Sequence, residues 1–230
     1  MDVLGDLVSP ERGDDRLWIH RPGPRSRSWS GEQFRVDAWK ASNLLRHYGV
    51  REGATVGLLD GDGPPDPQAL IALFGAWTLG GTVRPNPVDM DGVDVVVGPT
   101  DALDGRDLPP GCKAMGFGRP PDDPTVAHFE GERWSENPVP FPADVKPSDR
   151  ALRTDDGEYT HAELLADGEQ ASEKFGLGAD DIVALRASLS DAGAVVAGVL
   201  APLLSGATIT LGDEATITVT GDDGTATVSR

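Results

Sequence analysis

The sequence predicts an α/β fold built from two similar layered α/β subdomains with mostly parallel sheets, plus a C-terminal β-hairpin. Residues 29–87 and 159–211 repeat one order of elements, helix, strand, helix, strand, and such alternation gives parallel strands joined by right-handed crossovers. The tail supplies the hairpin, because its Thr and Val residues alternate on both sides of a Gly and Asp turn. A chain of 230 residues has room for one large core or two small ones. We read a first subdomain over 1–118, a Pro-rich linker over 119–147 and a second subdomain over 148–230.

The elements follow in order. Trp29-Ser30 with Gln33, and Tyr159-Thr160 with Glu163, each place a hydroxyl three positions before Gln or Glu, the capping box of a helix start. In the first helix Phe34, Ala38, Ala41, Leu45 and Tyr48 share one face and Gly49 supplies a left-handed stop; in the second Leu164, Leu165, Ala171 and Phe175 lead to Gly176. Strands are expected at 56–59 and 182–185, each followed by a polar loop and an apolar helix, 68–79 and 192–204. Second strands are expected at 82–84 and 207–211. Between the halves, 93–97 and 114–117 read as buried strands. Residues 119–147 lack a clear period and read as a surface linker pinned by Phe129, Trp134 and Phe141. The hairpin is placed at 216–229.

Composition excludes several functions. With 20 Lys+Arg against 38 Asp+Glu the net charge is -18, far from the roughly 2 to 8 units of a small soluble domain. The Arg21, Arg25 and Arg27 cluster is too small to serve as a basic face, so neither nucleic acid nor an anionic membrane is an expected partner. No apolar run approaches a membrane span and the start lacks signal-peptide features, so the expectation is cytoplasmic. Cys112 is the single cysteine, which excludes an intrachain disulfide and a multi-cysteine zinc site. Abundant Asp and only four Lys fit a halophilic surface whose self-repulsion is screened by salt; a GC-rich genome is the alternative source of this bias.

Trp29-Ser30 with Gln33-Phe34, Ala41-Ser42-Asn43-Leu44-Leu45, Gly49-Val50-Arg51-Glu52-Gly53, Ala76-Trp77-Thr78-Leu79-Gly80-Gly81-Thr82-Val83 and Pro85-Asn86-Pro87 resemble the opening of the acyl-CoA synthetases and related adenylate-forming, AMP-binding enzymes. Residues 177–211 resemble the next layer of the same N-terminal domain. The resemblance implies a phosphate-binding loop of Ser, Thr and Gly ending in Pro-Lys-Gly, which holds ATP phosphates. Here Arg150-Ala151-Leu152-Arg153 runs through Thr154-Asp155-Asp156-Gly157-Glu158 into Tyr159-Thr160-His161, with acids where triphosphate would lie. The family's later Tyr, Thr and Glu motif, ribose-binding Asp and lysine-bearing C-terminal domain have no counterpart in this sequence. The chain resembles short, uncharacterised acyl-CoA-synthetase-like proteins that lack the phosphate loop and C-terminal domain.

No catalytic residue, metal site or cofactor is assigned. Asp60, Asp62 and Asp66 lack the distal Glu of a calcium loop, with Ile71 in its place, and read as solvated turn residues. Arg84 and Arg186 end strands, where an anion held between the repeats would sit; the plainer reading is surface pairing with acids. Arg153 and His161 flank the position of the missing loop. His161 falls on the histidine that follows that loop in the resembled family, and by the repeat it is the solvated first turn of a helix. We read a non-catalytic, acyl-CoA-synthetase-like pseudoenzyme that binds an unknown small molecule or a protein partner, association with a second copy remaining open. The alternatives are an acyl- or nucleotide-handling ligase completed by another chain, and a scaffold protein with no small ligand.

Overall fold

The computed structural model describes residues 1–13, 16–23, 26–60, 63–222 and 225–229. The expectations placed on Arg25, Asp62 and the Asp223-Gly224 turn lie outside them.

An N-terminal 3-10 turn, Leu4–Val8, precedes strands β1 (Leu17–Arg21) and β2 (Arg27–Ser30), helix α1 (Gly31–His47), β3 (Thr55–Leu58), α2 (Pro67–Trp77), β4 (Thr82–Pro85), β5 (Val95–Pro99), α3 (Thr100–Leu103) and β6 (Lys113–Phe117). Then come β7 (Val126–His128), α4 (Phe129–Trp134), β8 (Arg150–Thr154), β9 (Gly157–Thr160), α5 (His161–Phe175) and β10 (Ile182–Arg186). The chain continues through α6 (Ala192–Val195), a π turn (Val196–Leu200), α7 (Ala201–Ser205), β11 (Thr208–Thr210), β12 (Ile217–Asp222) and β13 (Thr225–Ser229). Pro202 explains the π turn: it cannot donate to the carbonyl four residues back and its ring crowds that carbonyl, so the helix widens just upstream.

Both capping boxes form. Ser30 Oγ accepts the Gln33 N–H at 3.2 Å and Thr160 Oγ1 accepts the Glu163 N–H at 3.2 Å, each answered by the Gln or Glu side chain. The repeat extends into the sheets. A seven-stranded sheet has the order β7-β6-β5-β3-β4-β8-β9 and a six-stranded sheet the order β13-β12-β10-β11-β1-β2. The run β5-β3-β4-β8-β9 therefore matches β12-β10-β11-β1-β2, strand for strand. In each, three parallel strands of one repeat accept the leading antiparallel hairpin of the other: β1 pairs with β11 through Ile19 and Ile209, and β8 pairs with β4 through Leu152 and Val83. Each half thus lends two strands to the other half's sheet.

The apolar faces of α1 and α2 meet in an aromatic ladder, Trp18, Phe34, Phe74 and Trp77, with the last two pairs edge-to-face at 5.4 and 5.1 Å between centroids. Trp77 Nε1 donates to the Ala151 carbonyl at 2.8 Å, tying α2 to β8. Gly75 lets α1 approach, because a Cβ there would stand 2.9 Å from that of Ala41. The 119–147 segment is more ordered than its prolines suggest: β7 extends the sheet edge and α4 follows. Of its three expected anchors only Phe129 is buried, while Trp134 and Phe141 are exposed. Proline punctuation hid a strand of three residues that pairs with β6. Among the described residues no helix is long and apolar enough to cross a membrane.

Candidate functional site

The carboxyl ends of parallel strands are where α/β folds gather ligands, and here those ends meet across the two sheets. Asp60 follows β3, Asn86 follows β4, and Ser188, Leu189 and Ser190 follow β10. Leu189 N–H donates to Asp60 Oδ2 at 2.7 Å and Ser188 Oγ to Oδ1 at 3.2 Å, while Asn86 Nδ2 donates to the same carboxylate. Asp60 N–H donates to Asn86 Oδ1 at 3.0 Å, and Asn86 Nδ2 reaches Ser188 Oγ and Ser190 Oγ at 3.1 and 3.0 Å. Asn86 takes a positive φ of 39° to make this bridge, a conformation that Asn tolerates better than most residues. Asp60 is therefore buried, not a solvated turn residue, because a loop 128 positions away closes over it. Burial pushes its pKa up from 3.8 to about 6, against the lowering effect of the Leu189, Asn86 and Ser188 hydrogen bonds.

A buried carboxyl with such a pKa beside serine hydroxyls is the raw material of base catalysis. In this cluster, however, the carboxylate is already engaged by groups from two other loops. Among the described residues no group of three or more His, Cys, Asp or Glu could hold a metal ion. The arrangement works as a clasp between the sheets. Asp66, from the same acidic loop, caps α2 by accepting the Gln68 N–H at 2.9 Å and pairs with Arg21.

The four candidate residues do not converge on one site. Arg84 and Arg153 follow the paired residues Val83 and Leu152 on adjacent strands. Arg84 donates to the Asp89 carboxylate at 3.2 Å, and Arg153 sits 3.6 Å from Glu158. Arg186 belongs to the other sheet, paired with Asp213 and donating to the Leu211 carbonyl. His161, expected to be solvated, is fully buried. The N-terminal turn folds over it, so that Leu4 N–H donates to His161 Nδ1 at 3.2 Å while Nε2 has no hydrogen-bond partner among the described residues. Desolvation lowers its pKa from 6.5 to about 4, despite Asp149 and Asp6 nearby. Nothing local in the sequence signalled this, since the covering segment lies 157 positions away.

Where the resemblance would place a phosphate loop, the chain makes a tight hairpin. Thr154 pairs with Gly157, leaving only Asp155 and Asp156 in the turn between β8 and β9. Glu158 holds both nearby cations, Arg150 at 2.8 Å and Arg153 at 3.6 Å.

The overall geometry is shared with solved structures. The anthranilate CoA ligase AuaEII in complex with anthranoyl-AMP superposes with a TM-score of 0.77 at 18% identity, over 93% of this chain and 45% of that one. The fold is that of the N-terminal domain of adenylate-forming enzymes. The N-terminal domain of FACL13 from Mycobacterium tuberculosis gives 0.73 at 15% identity, over 91% of this chain and 57% of that one. The Brucella canis acyl-CoA synthetase gives 0.73 at 18%, over 90% and 42%. This chain thus spans about half the length of these adenylate-forming structures, and at such identities the likeness concerns fold alone. No family model matches the sequence, and no curated protein matches it.

Proposed function

We propose that this chain is a non-catalytic module of the adenylate-forming fold, serving to bind a small molecule or a protein partner in a cytoplasmic, salt-rich setting. The observation that carries the reading is the hairpin between β8 and β9. Adenylation needs a triphosphate cradled by backbone amides and balanced by cations in a preorganised site. A turn of two aspartates offers neither the amide-lined loop nor free positive charge, since Glu158 occupies both Arg150 and Arg153. The clasp at Asp60 supports the same reading, because it fills the strand-end crevice with internal hydrogen bonds.

Carboxylate-dependent pyrophosphate exchange from ATP, assayed with Mg²⁺ and molar KCl over a panel of acids, is expected to stay at background. Exchange that disappears in Arg153→Ala would overturn the proposal and make the hairpin a shortened, working phosphate site. His161→Ala is not a usable probe of that site, since the buried ring holds the N-terminal turn.

A further inference from the structure

The two sheets are unequal on one side, and the difference lies at the C-terminal hairpin. In the matched runs β12 takes the place of β5. Beyond β5 the seven-stranded sheet carries two further strands, β6 and β7, whereas beyond β12 the six-stranded sheet carries β13 alone. The position that β7 fills in one half therefore has no counterpart in the other. β13 pairs with β12 over its whole length, from Thr225 opposite Asp222 to Ser229 opposite Thr218, and among the described residues no strand pairs with its outer side. An edge of this kind presents N–H and C=O groups that a further strand can meet.

Folded proteins blunt their edges by shortening or charging them, and the other three edges here follow that rule. β7 has three residues, β2 has four and opens with Arg27, and β9 has four and carries Glu158. β13 is longer, with the five residues Thr225-Ala226-Thr227-Val228-Ser229, and it holds neither charge nor proline. Val228 packs against the core, while Thr227 is exposed with its hydroxyl 2.8 Å from that of Thr220. The neutrality of this edge selects its partner. With a net charge of -18, two copies of the chain repel over most of their surfaces, and an uncharged edge is where they approach with least repulsion. A twofold contact sets each group near its own copy, so any charge on the strand would be doubled; β13 has none to double.

We propose that β13 is a dimerisation edge: the β13 of a second copy pairs with it antiparallel about a twofold axis and joins the two six-stranded sheets into one continuous sheet. Full overlap of the two five-residue strands sets the central Thr227 of each copy opposite its twin. Such a contact closes on itself, so assembly stops at two. This names a second copy as a partner within the binding reading and is independent of whether the chain adenylates: pyrophosphate exchange probes the β8–β9 hairpin, so a failure of either result leaves the other standing.

The test is sedimentation velocity of the full chain up to submillimolar protein. In molar KCl a species of twice 24.2 kDa that dissociates on dilution is expected, and its dissociation constant should rise at least tenfold in dilute KCl, where the repulsion between copies is no longer screened. Successive residues of a strand turn their N–H groups to opposite sides, so one of Thr227→Pro and Val228→Pro removes an outward donor and spares the bonds to β12. That variant should keep the native circular dichroism and dimerise at least tenfold more weakly. A monomer at every concentration in molar KCl, species that grow past the dimer, or a dimer unaffected by both substitutions would each overturn the proposal. If neither variant folds, amide exchange in the native chain decides: protection in β13 should rise with protein concentration, and protection independent of concentration overturns the proposal.

Discussion

Buried Asp60 and His161 make opposite demands on pH, and replacing one exposes the effect of the other. The perturbation is His161→Asn, which keeps an acceptor near the Nδ1 position for the Leu4 N–H. The pKa of His161 is about 4 in the fold against 6.5 when solvated. The unfolded chain therefore takes up this proton first, and stability is lost as pH falls from 6.5 to 4. The full shift corresponds to about 3 kcal/mol, of which about 2 is lost by about pH 5. Asp60 works the other way. Its folded value of about 6 lies above 3.8, so the fold binds the proton first and gains stability as pH drops through 6, by about 2 to 3 kcal/mol near pH 4. In the native protein these two contributions offset each other to within about 1 kcal/mol between about pH 7 and 4. In His161→Asn only the Asp60 gain remains. Urea unfolding followed by circular dichroism at about pH 7, 6, 5 and 4 in molar KCl gives both curves, and their difference removes the exposed carboxylates common to the two proteins. The variant should gain about 3 kcal/mol relative to the native chain across this range. A difference flat within about 0.5 kcal/mol would refute the buried, neutral histidine.

Other consequences follow from packing and charge. Phe74→Ala removes the centre of the aromatic ladder and should cost about 3 to 5 kcal/mol in urea unfolding. Gly75→Ala drives a methyl to 2.9 Å from Ala41 Cβ; it should destabilise by about 1 to 3 kcal/mol although Ala is the better helix former, and a gain in stability would contradict the close approach of α1 and α2. The melting midpoint should rise with graded KCl as the charge of -18 is screened; a midpoint equal in dilute and molar KCl would favour genomic bias as the origin of the composition.

What was legible in the sequence was local. The Ser30–Gln33 and Thr160–Glu163 boxes, the stop at Gly176 and the parallel strand pattern are written within a few residues, and the structure forms them where expected. The short passage from Thr154 to Glu158 is legible as a missing loop, and in the structure it is a hairpin. The apolar helix expected over 192–204 is interrupted by a π turn just before Pro202. The misreadings at Asp60 and His161 share one cause, partners far away in the chain. Asp60 looks solvated until the loop at Ser188–Ser190 arrives, and His161 until Leu4 covers it. Nor does periodicity tell a hairpin which sheet to join, so the exchange of β1-β2 and β8-β9 between halves had no sequence signal.

The central claim is that the β8–β9 hairpin cannot hold a nucleotide triphosphate, and direct binding tests it without depending on the choice of acid. Isothermal titration of the full chain with Mg²⁺-ATP in molar KCl is predicted to give no saturable heat up to millimolar nucleotide, and Arg153→Ala is predicted to be indistinguishable from the native chain. Saturable binding that is lost in Arg153→Ala would contradict the claim.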